Sequence, residues 1–262
     1  MPYRVDLSDA DPTAGDRLID LGALDVEVSR DGQASAVMPD SVTPDEVRRA
    51  VGLLTIAPAV GRDANSVWIL RPRPLQVGQL RIVPSDMTAT AGDVRLIDAP
   101  AFGTGLHPTT ALCLEALADI IENERPGSVL DVGTGSGVLA LAALTLGVPD
   151  AVGLDIDEGA LQVAAENARL NRVDDRLQLA HGGPDTVIGL WPLVLANVLA
   201  APLIEMAPSL VRRVGRRGRL VLSGIPRSVE RDVHQAYRHL GMRHSETRSR
   251  AGWVALILQA TW

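Results

Sequence analysis

Residues 129–137, Val129-Leu130-Asp131-Val132-Gly133-Thr134-Gly135-Ser136-Gly137, constrain the fold of this chain more than any other stretch. A short apolar run, of the length of a buried strand, ends in a turn of alternating glycines. An unbroken apolar helix pattern follows over 138–146. Glycine lets the backbone turn tightly and lets another group approach without meeting a Cβ. The helix start presents free N–H groups. Strand, glycine turn and helix together form the ligand-binding corner of an open parallel α/β sheet. The surrounding sequence agrees. Strands are predicted at 128–132, 151–155, 176–180, 193–197 and 219–223, with helices at 137–146, 158–170, 202–211 and 228–240. The segments 242–248 and 253–260 read as two strands joined directly, hence an antiparallel pair.

The first 58 residues follow a different pattern. Strands at 3–7, 23–29, 34–38 and 53–57 and helices at 13–21 and after Thr43-Pro44-Asp45-Glu46 give the order β-α-β-β-α-β. That is the order of a ferredoxin-like unit. Thr43 is a helix cap, Pro44 suits the first helical position, and two acids follow. Residues 59–92, punctuated by Pro72, Pro74 and Pro84, read as a connector with one strand at 79–83. Residues 93–262 form the α/β domain. Two long uncharged stretches, 132–149 and 186–204, are interrupted by Gly, Pro and Asn and read as buried strand plus helix or loop, not as membrane spans. The N-terminal residues show no secretory pattern.

Three further stretches carry chemistry. Asp155 ends the strand after the glycine turn, 22 positions beyond Gly133. A carboxylate there can accept both ribose hydroxyls of an adenosine. Asp157, just before Glu158, fits a helix cap better. Asn197 ends the fourth strand, beside the cleft where such sheets bind ligands; its amide can hold an amine or the amino-acid part of a cofactor. In Phe102-Gly103-Thr104-Gly105-Leu106-His107-Pro108-Thr109-Thr110, two glycines permit an irregular loop. Phe102 offers an apolar lid, and Thr109 or Thr110 a cap or ligand bond. The glycine spacing is itself informative. A nicotinamide fold wants G-x-G-x-x-G, with a late Gly for helix–strand packing. Here the pattern is G-x-G-x-G, with Val138 where the last Gly is expected. That favours S-adenosylmethionine, which has no pyrophosphate to cradle.

Taken together, the Phe102–Thr110 run, Asp131-x-Gly-x-Gly-x-Gly, Gly-x-Asp155-x-Asp157 and Asn197-Val-Leu-Ala-x-Pro-Leu resemble the ribosomal protein L11 methyltransferase (PrmA) family. Ser223-Gly224-Ile225 resembles that family's fifth-strand ending. Residues 74–78 and 82–85, with Trp68, resemble its connector. The resemblance runs from about residue 65 to the end of the chain. It implies a class I methyltransferase fold, Rossmann-like with a seven-stranded sheet and terminal antiparallel hairpin, plus a ferredoxin-like substrate-recognition domain. It implies methyl transfer from S-adenosylmethionine to lysine and N-terminal amines of ribosomal protein L11. Carried over by position, Thr110, Gly133, Gly135, Gly137, Asp155 and Asn197 should bind the cofactor. Phe102, Gly103, Thr104 and His107 should line the loop next to the methyl group, with Asn197, Phe102 and His107 as the catalytic set. The chain departs from the family's pattern in having no second Trp at 63–66 and Asp86 where a Trp is frequent.

The remaining signals are weaker. The chain has no Lys, a net charge of −7, 3% aromatics and a single Phe. The acidic balance argues against general nucleic-acid binding and suits a basic protein partner. Cys113 alone cannot form an internal disulfide, which fits a cytoplasmic, reducing compartment; it reads as a small apolar helix residue. His234, His239 and His244 recur every five residues, off any single helical face, and predict no metal site. Arg212, Arg213, Arg216, Arg217 and Arg219 read as a solvated helix end, with ribosomal RNA contact as the functional alternative. The expected state is a monomer. Competing classes are a nicotinamide oxidoreductase, a silent ribosome-binding module and a nucleic-acid amine methyltransferase.

Overall fold

The computed structural model describes residues 3–7, 13–23, 25–28, 34–39, 42–58, 74–97, 99, 107–250 and 252–262. Phe102, Gly103 and Thr104 of the loop motif, and Trp68 of the connector, lie outside them.

The N-terminal unit contains β1 (Tyr3–Leu7), α1 (Ala14–Asp20), β2 (Asp25–Val28), β3 (Ala34–Met38), α2 (Pro44–Val51) and β4 (Thr55–Pro58). Its strands are ordered β2-β3-β1-β4, all neighbours antiparallel, as the ferredoxin-like order requires. Val5, Leu7, Leu18, Val26, Ala36, Met38 and Val47 form its core. The predicted cap on α2 is a full capping box. Thr43 Oγ1 accepts from the Glu46 N–H, and the Glu46 carboxylate accepts the Thr43 N–H at 2.7 Å.

The segment read as a connector holds more order than its prolines suggested. Its β5 (Leu75–Val77) and β6 (Leu80–Pro84) form a three-stranded sheet with β7 (Asp93–Leu96), the first strand of the segment that follows, antiparallel then parallel. Val77, Leu80, Ile82, Val94 and Leu96 join the same core as the helices of the α/β domain.

After β7 that domain contains α3 (Pro108–Glu124), β8 (Ser128–Val132), α4 (Val138–Thr145), β9 (Asp150–Asp155), α5 (Glu158–Leu170) and β10 (Leu177–His181). It continues through β11 (Trp191–Asn197), α6 (Ala200–Glu205), α7 (Ala207–Val211), β12 (Val214–Pro226), α8 (Glu230–Arg238), β13 (Met242–Arg250) and β14 (Trp253–Ala260). The seven strands are ordered β10-β9-β8-β11-β12-β14-β13. The first five are parallel; β14 runs antiparallel to both β12 and β13. This is the class I methyltransferase sheet. Strand order reverses between β8 and β11, where open α/β sheets place ligands.

Side chains alternate across the sheet. Val129, Leu193, Leu195 and Val221 face one core, shared with α3 and α4. Leu130, Val132, Val194, Leu220 and Leu222 face the other, shared with α6, α7 and α8. Residues 138–144 of α4 are buried on every side, which explains the uncharged stretch there. Among the described residues no helix is long and apolar enough to cross a membrane. The single helix predicted over 202–211 is two, broken at Met206. Pro208 cannot donate to the carbonyl of Ile204 and its ring clashes there, so the first helix stops. Arg250–Glu115, Arg248–Asp119 and Arg219–Glu124 ion pairs tie α3 to β13 and β12 along its length. Each contributes little at the surface.

Candidate active site

The glycine turn binds to its own protein. Gly133, Gly135 and Gly137 take φ of 73°, 55° and 82°, where only glycine is unstrained. The N–H groups of Gly133 and Thr134 both donate to Leu154 O at 2.8 Å. That of Gly135 donates to Asp155 Oδ2 at 2.8 Å, and that of Gly137 to Thr134 O at 2.8 Å. These donors are therefore engaged internally. A dinucleotide fold would need such groups aimed at a pyrophosphate. The helix-packing role of the late glycine falls on Gly137, where an added Cβ would stand 3.2 Å from Ala164 Cβ on α5.

Two glycines also clasp the segment after β11. A Cβ on Gly133 would fall 2.3 Å from Val198 Cγ1, and one on Gly224 (φ 83°) 2.2 Å from Val198 O. The C-terminal ends of β8, β11 and β12 are thus drawn together. A cleft of 570 Å³ opens between them. Gly133, Gly135, Asp155 and Asn197, all predicted site residues, line it together with His107. Gly137 sits behind, in helix packing. Thr110 is fully buried behind Asn197. Phe102, Gly103 and Thr104 lie outside the described residues.

Asp155 holds the turn through Oδ2, which accepts from Gly135, while Oδ1 accepts from the Asp157 N–H of its own segment at 3.0 Å. Each oxygen keeps a second lone pair for a ribose hydroxyl. Asp157 caps α5, its Oδ1 accepting from Gly159 at 2.8 Å. Asn197 is 9% exposed; its Nδ2 donates to Thr110 Oγ1 at 3.2 Å. Its Oδ1 is buried and has no hydrogen-bond partner among the described residues. A buried carbonyl oxygen left without a donor is costly, which marks the place for a ligand N–H.

The cap on α3 is His107, and neither threonine serves. Nδ1 of the ring accepts from the Thr109 N–H and lies 2.8 Å from Thr109 Oγ1. The ring meets Trp253 edge-on, centroids 5.2 Å apart. Burial holds the imidazole down at about 4, so it is neutral at physiological pH. Beneath the turn, Asp131 accepts from Thr134 Oγ1 at 2.7 Å and is fully buried. Burial pushes its carboxyl up to about 7.

Other lining residues carry no local sequence signal: Trp253, Ile156, Met206 and the Gly182-Gly183 pair, with Ala23 and Val26 from the N-terminal unit. Trp253 stands 146 positions after His107, and nothing in local spacing links them. Cys113 is buried in α3, and burial pushes its thiol up. His244 belongs to β13, its ring 5.1 Å from His234 on α8. No three His, Cys, Asp or Glu groups among the described residues are placed to hold a metal. Arg212 pairs with Asp185 and Arg219 with Glu124, while Arg216 and Arg217 are exposed.

Comparison with known proteins converges on one family. The model described as "Ribosomal protein L11 methyltransferase (PrmA)" matches residues 54–261. A ribosomal protein L11 methyltransferase of Myxococcus xanthus is 37% identical over 257 residues, 95% of this chain and 83% of that protein. One from Pelobacter propionicus is 39% identical over 210 residues, 77% of this chain and 68% of that protein. The crystal structure of a ribosomal protein L11 methylase from Lactobacillus delbrueckii subsp. bulgaricus superposes with a TM-score of 0.65 at 29% identity. It covers 72% of this chain and 100% of the other.

Proposed function

This chain belongs to the ribosomal protein L11 methyltransferase (PrmA) family, and we propose that it methylates lysine side-chain and N-terminal amines of ribosomal protein L11. It is an S-adenosylmethionine-dependent class I methyltransferase. The buried, partnerless Oδ1 of Asn197 in an apolar cleft carries the reading of the site.

When bound, S-adenosylmethionine supplies an electrophilic methyl group. Asp155 would hold its ribose and the Gly133–Gly135 backbone would lie against it. The nucleophile must be a neutral amine, whereas a free lysine holds its proton up to about pH 10.4. The apolar walls, Val198, Leu199, Met206 and Trp253, disfavour the ammonium and lower that value. The amine releases its proton to water as it enters. Asn197 Oδ1 then accepts one amine N–H and turns the lone pair toward the methyl group. His107, neutral and weakly basic, is poorly suited to take the proton and instead caps α3 and packs on Trp253. By the family resemblance alone, Phe102, Gly103 and Thr104 would belong to the loop beside the methyl group.

A ribosomal protein substrate fits the cytoplasmic location and monomeric state expected from the sequence. Any contact with ribosomal RNA falls to Arg216 and Arg217. The direct test is transfer of labelled methyl groups from S-adenosylmethionine to purified ribosomal protein L11. Label in the protein is expected; its absence with active donor binding would overturn the substrate assignment.

A further inference from the structure

Resting on the donor-site reading above, we propose that Asn167 is a positioning residue for the methyl-donor site, fixing the glycine turn through the carbonyl of Ser136. Asn167 lies in α5, is 0% exposed and does not reach the cleft. Its Nδ2 donates to Ser136 O at 2.9 Å, and its Oδ1 accepts the Ile97 N–H at 2.8 Å. One helical turn later, Asn171 Oδ1 accepts the Arg95 N–H at 2.8 Å and Nδ2 donates to Arg95 O at 2.7 Å.

The geometry has a simple origin. Four helical residues rise about 6 Å. Two strand residues advance roughly 6.6–6.8 Å. An i, i+4 pair on a helix therefore meets residues i and i+2 along a strand edge. Here the two amides replace a neighbouring strand for β7 and its continuation at Ile97. Only Asn167 extends the chain of bonds to the cofactor side. Ser136 lies between Gly135 and Gly137, at φ of 55° and 82°. A residue flanked by glycines has neighbours with little intrinsic preference for one backbone orientation. A donor fixed in a fully buried site can set that orientation, and with it the position of the Gly135 N–H that Asp155 accepts. Asn171 serves as an internal control, because it holds β7 without touching the turn.

The test is titration calorimetry of S-adenosylmethionine with the full chain, alongside thermal melting. Asn167→Asp keeps the acceptor for Ile97 and sets an oxygen against the Ser136 carbonyl. Asn167→Ala removes both bonds, and Asn171→Ala removes the hold on Arg95 together with the Nδ2 bond to Asn167 O at 2.7 Å, leaving the Asn167 side-chain bond to Ser136 in place. Both Asn167 variants should bind the donor roughly tenfold more weakly, the factor that one buried hydrogen bond supplies. Asn171→Ala should stay within about threefold of the wild type, well under that single-bond factor. Asn167→Asp should also recover affinity, relative to wild type, as pH falls, because a protonated carboxyl can donate to Ser136 O. Unchanged binding by Asn167→Ala, or equal weakening by Asn167→Ala and Asn171→Ala, overturns the proposal. No binding by the wild type overturns the donor-site reading instead. If Asn167→Asp fails to fold, the two alanine variants decide the question.

Discussion

Thr110→Val isolates the step on which amine alignment depends. The two side chains have nearly the same shape, so the change removes one acceptor and little volume. Thr110 is 0% exposed, and its Oγ1 is the acceptor for Asn197 Nδ2 at 3.2 Å. Without it the amide has two poor options. It can keep its orientation and bury an unpaired N–H, at a cost of about 1–3 kcal/mol. Or it can turn over and present Nδ2 where Oδ1 stood, so that donor meets donor when an amine arrives. Either outcome removes aligned amine from the reactive state. At about 1.4 kcal/mol per factor of ten, the expected loss is roughly 5- to 140-fold in the single-turnover rate. The assay is methyl transfer from pre-bound, saturating donor to ribosomal protein L11, with melting temperature as the check on folding. A shift of about 2–4 °C per kcal/mol is expected for a chain of this size. A folded variant whose single-turnover rate matches wild type would refute the role assigned to the Asn197 amide.

Other outcomes follow from the same geometry. His107→Ala should retain activity within about tenfold of wild type, since its ring is neutral and loses mainly a cap and a packing contact. The wild-type pH–rate profile should show no break near pH 6.5; a break there that vanishes in His107→Ala would restore it as a base. The folded His107 is depressed to about 4, so its stabilising contribution is complete above pH 6.5 and declines as pH falls toward 4. Asp131 behaves oppositely. Its folded value is raised to about 7, so the folded state binds the extra proton between about pH 4 and 7 and stability falls as pH rises through that window. Asp131→Asn should flatten that part of the melting-temperature profile; an unchanged slope would contradict the burial argument. Gly224→Ala should destabilise by about 2–5 kcal/mol, adding left-handed strain to overpacking against Val198 O. A melting temperature equal to wild type would show that the clasp around Val198 gives way.

Much of the fold is legible in residue order because buried parallel strands are continuous apolar runs. Residues 128–132 and 193–197 announce themselves in that way, and the glycine turn fixes the corner between β8 and α4. Asp155 and Asn197 follow, each at the C-terminal end of a strand. What escapes local pattern is made by pairing or by distance. β5 and β7 are three and four residues long, and are strands only because β6 lies between them. Trp253 reaches the cleft because β14 returns beside β12, a consequence of sheet order. Asn167 and Asn171 carry no local signal, because their bonds reach an edge 70 and 76 residues earlier. The choice of His107 over the threonines as cap depends on where the first turn of α3 begins. The glycine spacing pointed away from a dinucleotide, and the internal bonds of the turn give the physical reason.

That reason is open to one direct measurement. If the N–H groups of the glycine turn are held by Leu154, Asp155 and Thr134, the cleft has little to offer a pyrophosphate and much to offer an adenosine attached to an amino acid. Titration calorimetry of the wild-type chain with S-adenosylmethionine and with NAD compares the two. Saturable heat with S-adenosylmethionine and none with NAD is the predicted result. Binding of NAD with no heat from S-adenosylmethionine would contradict it.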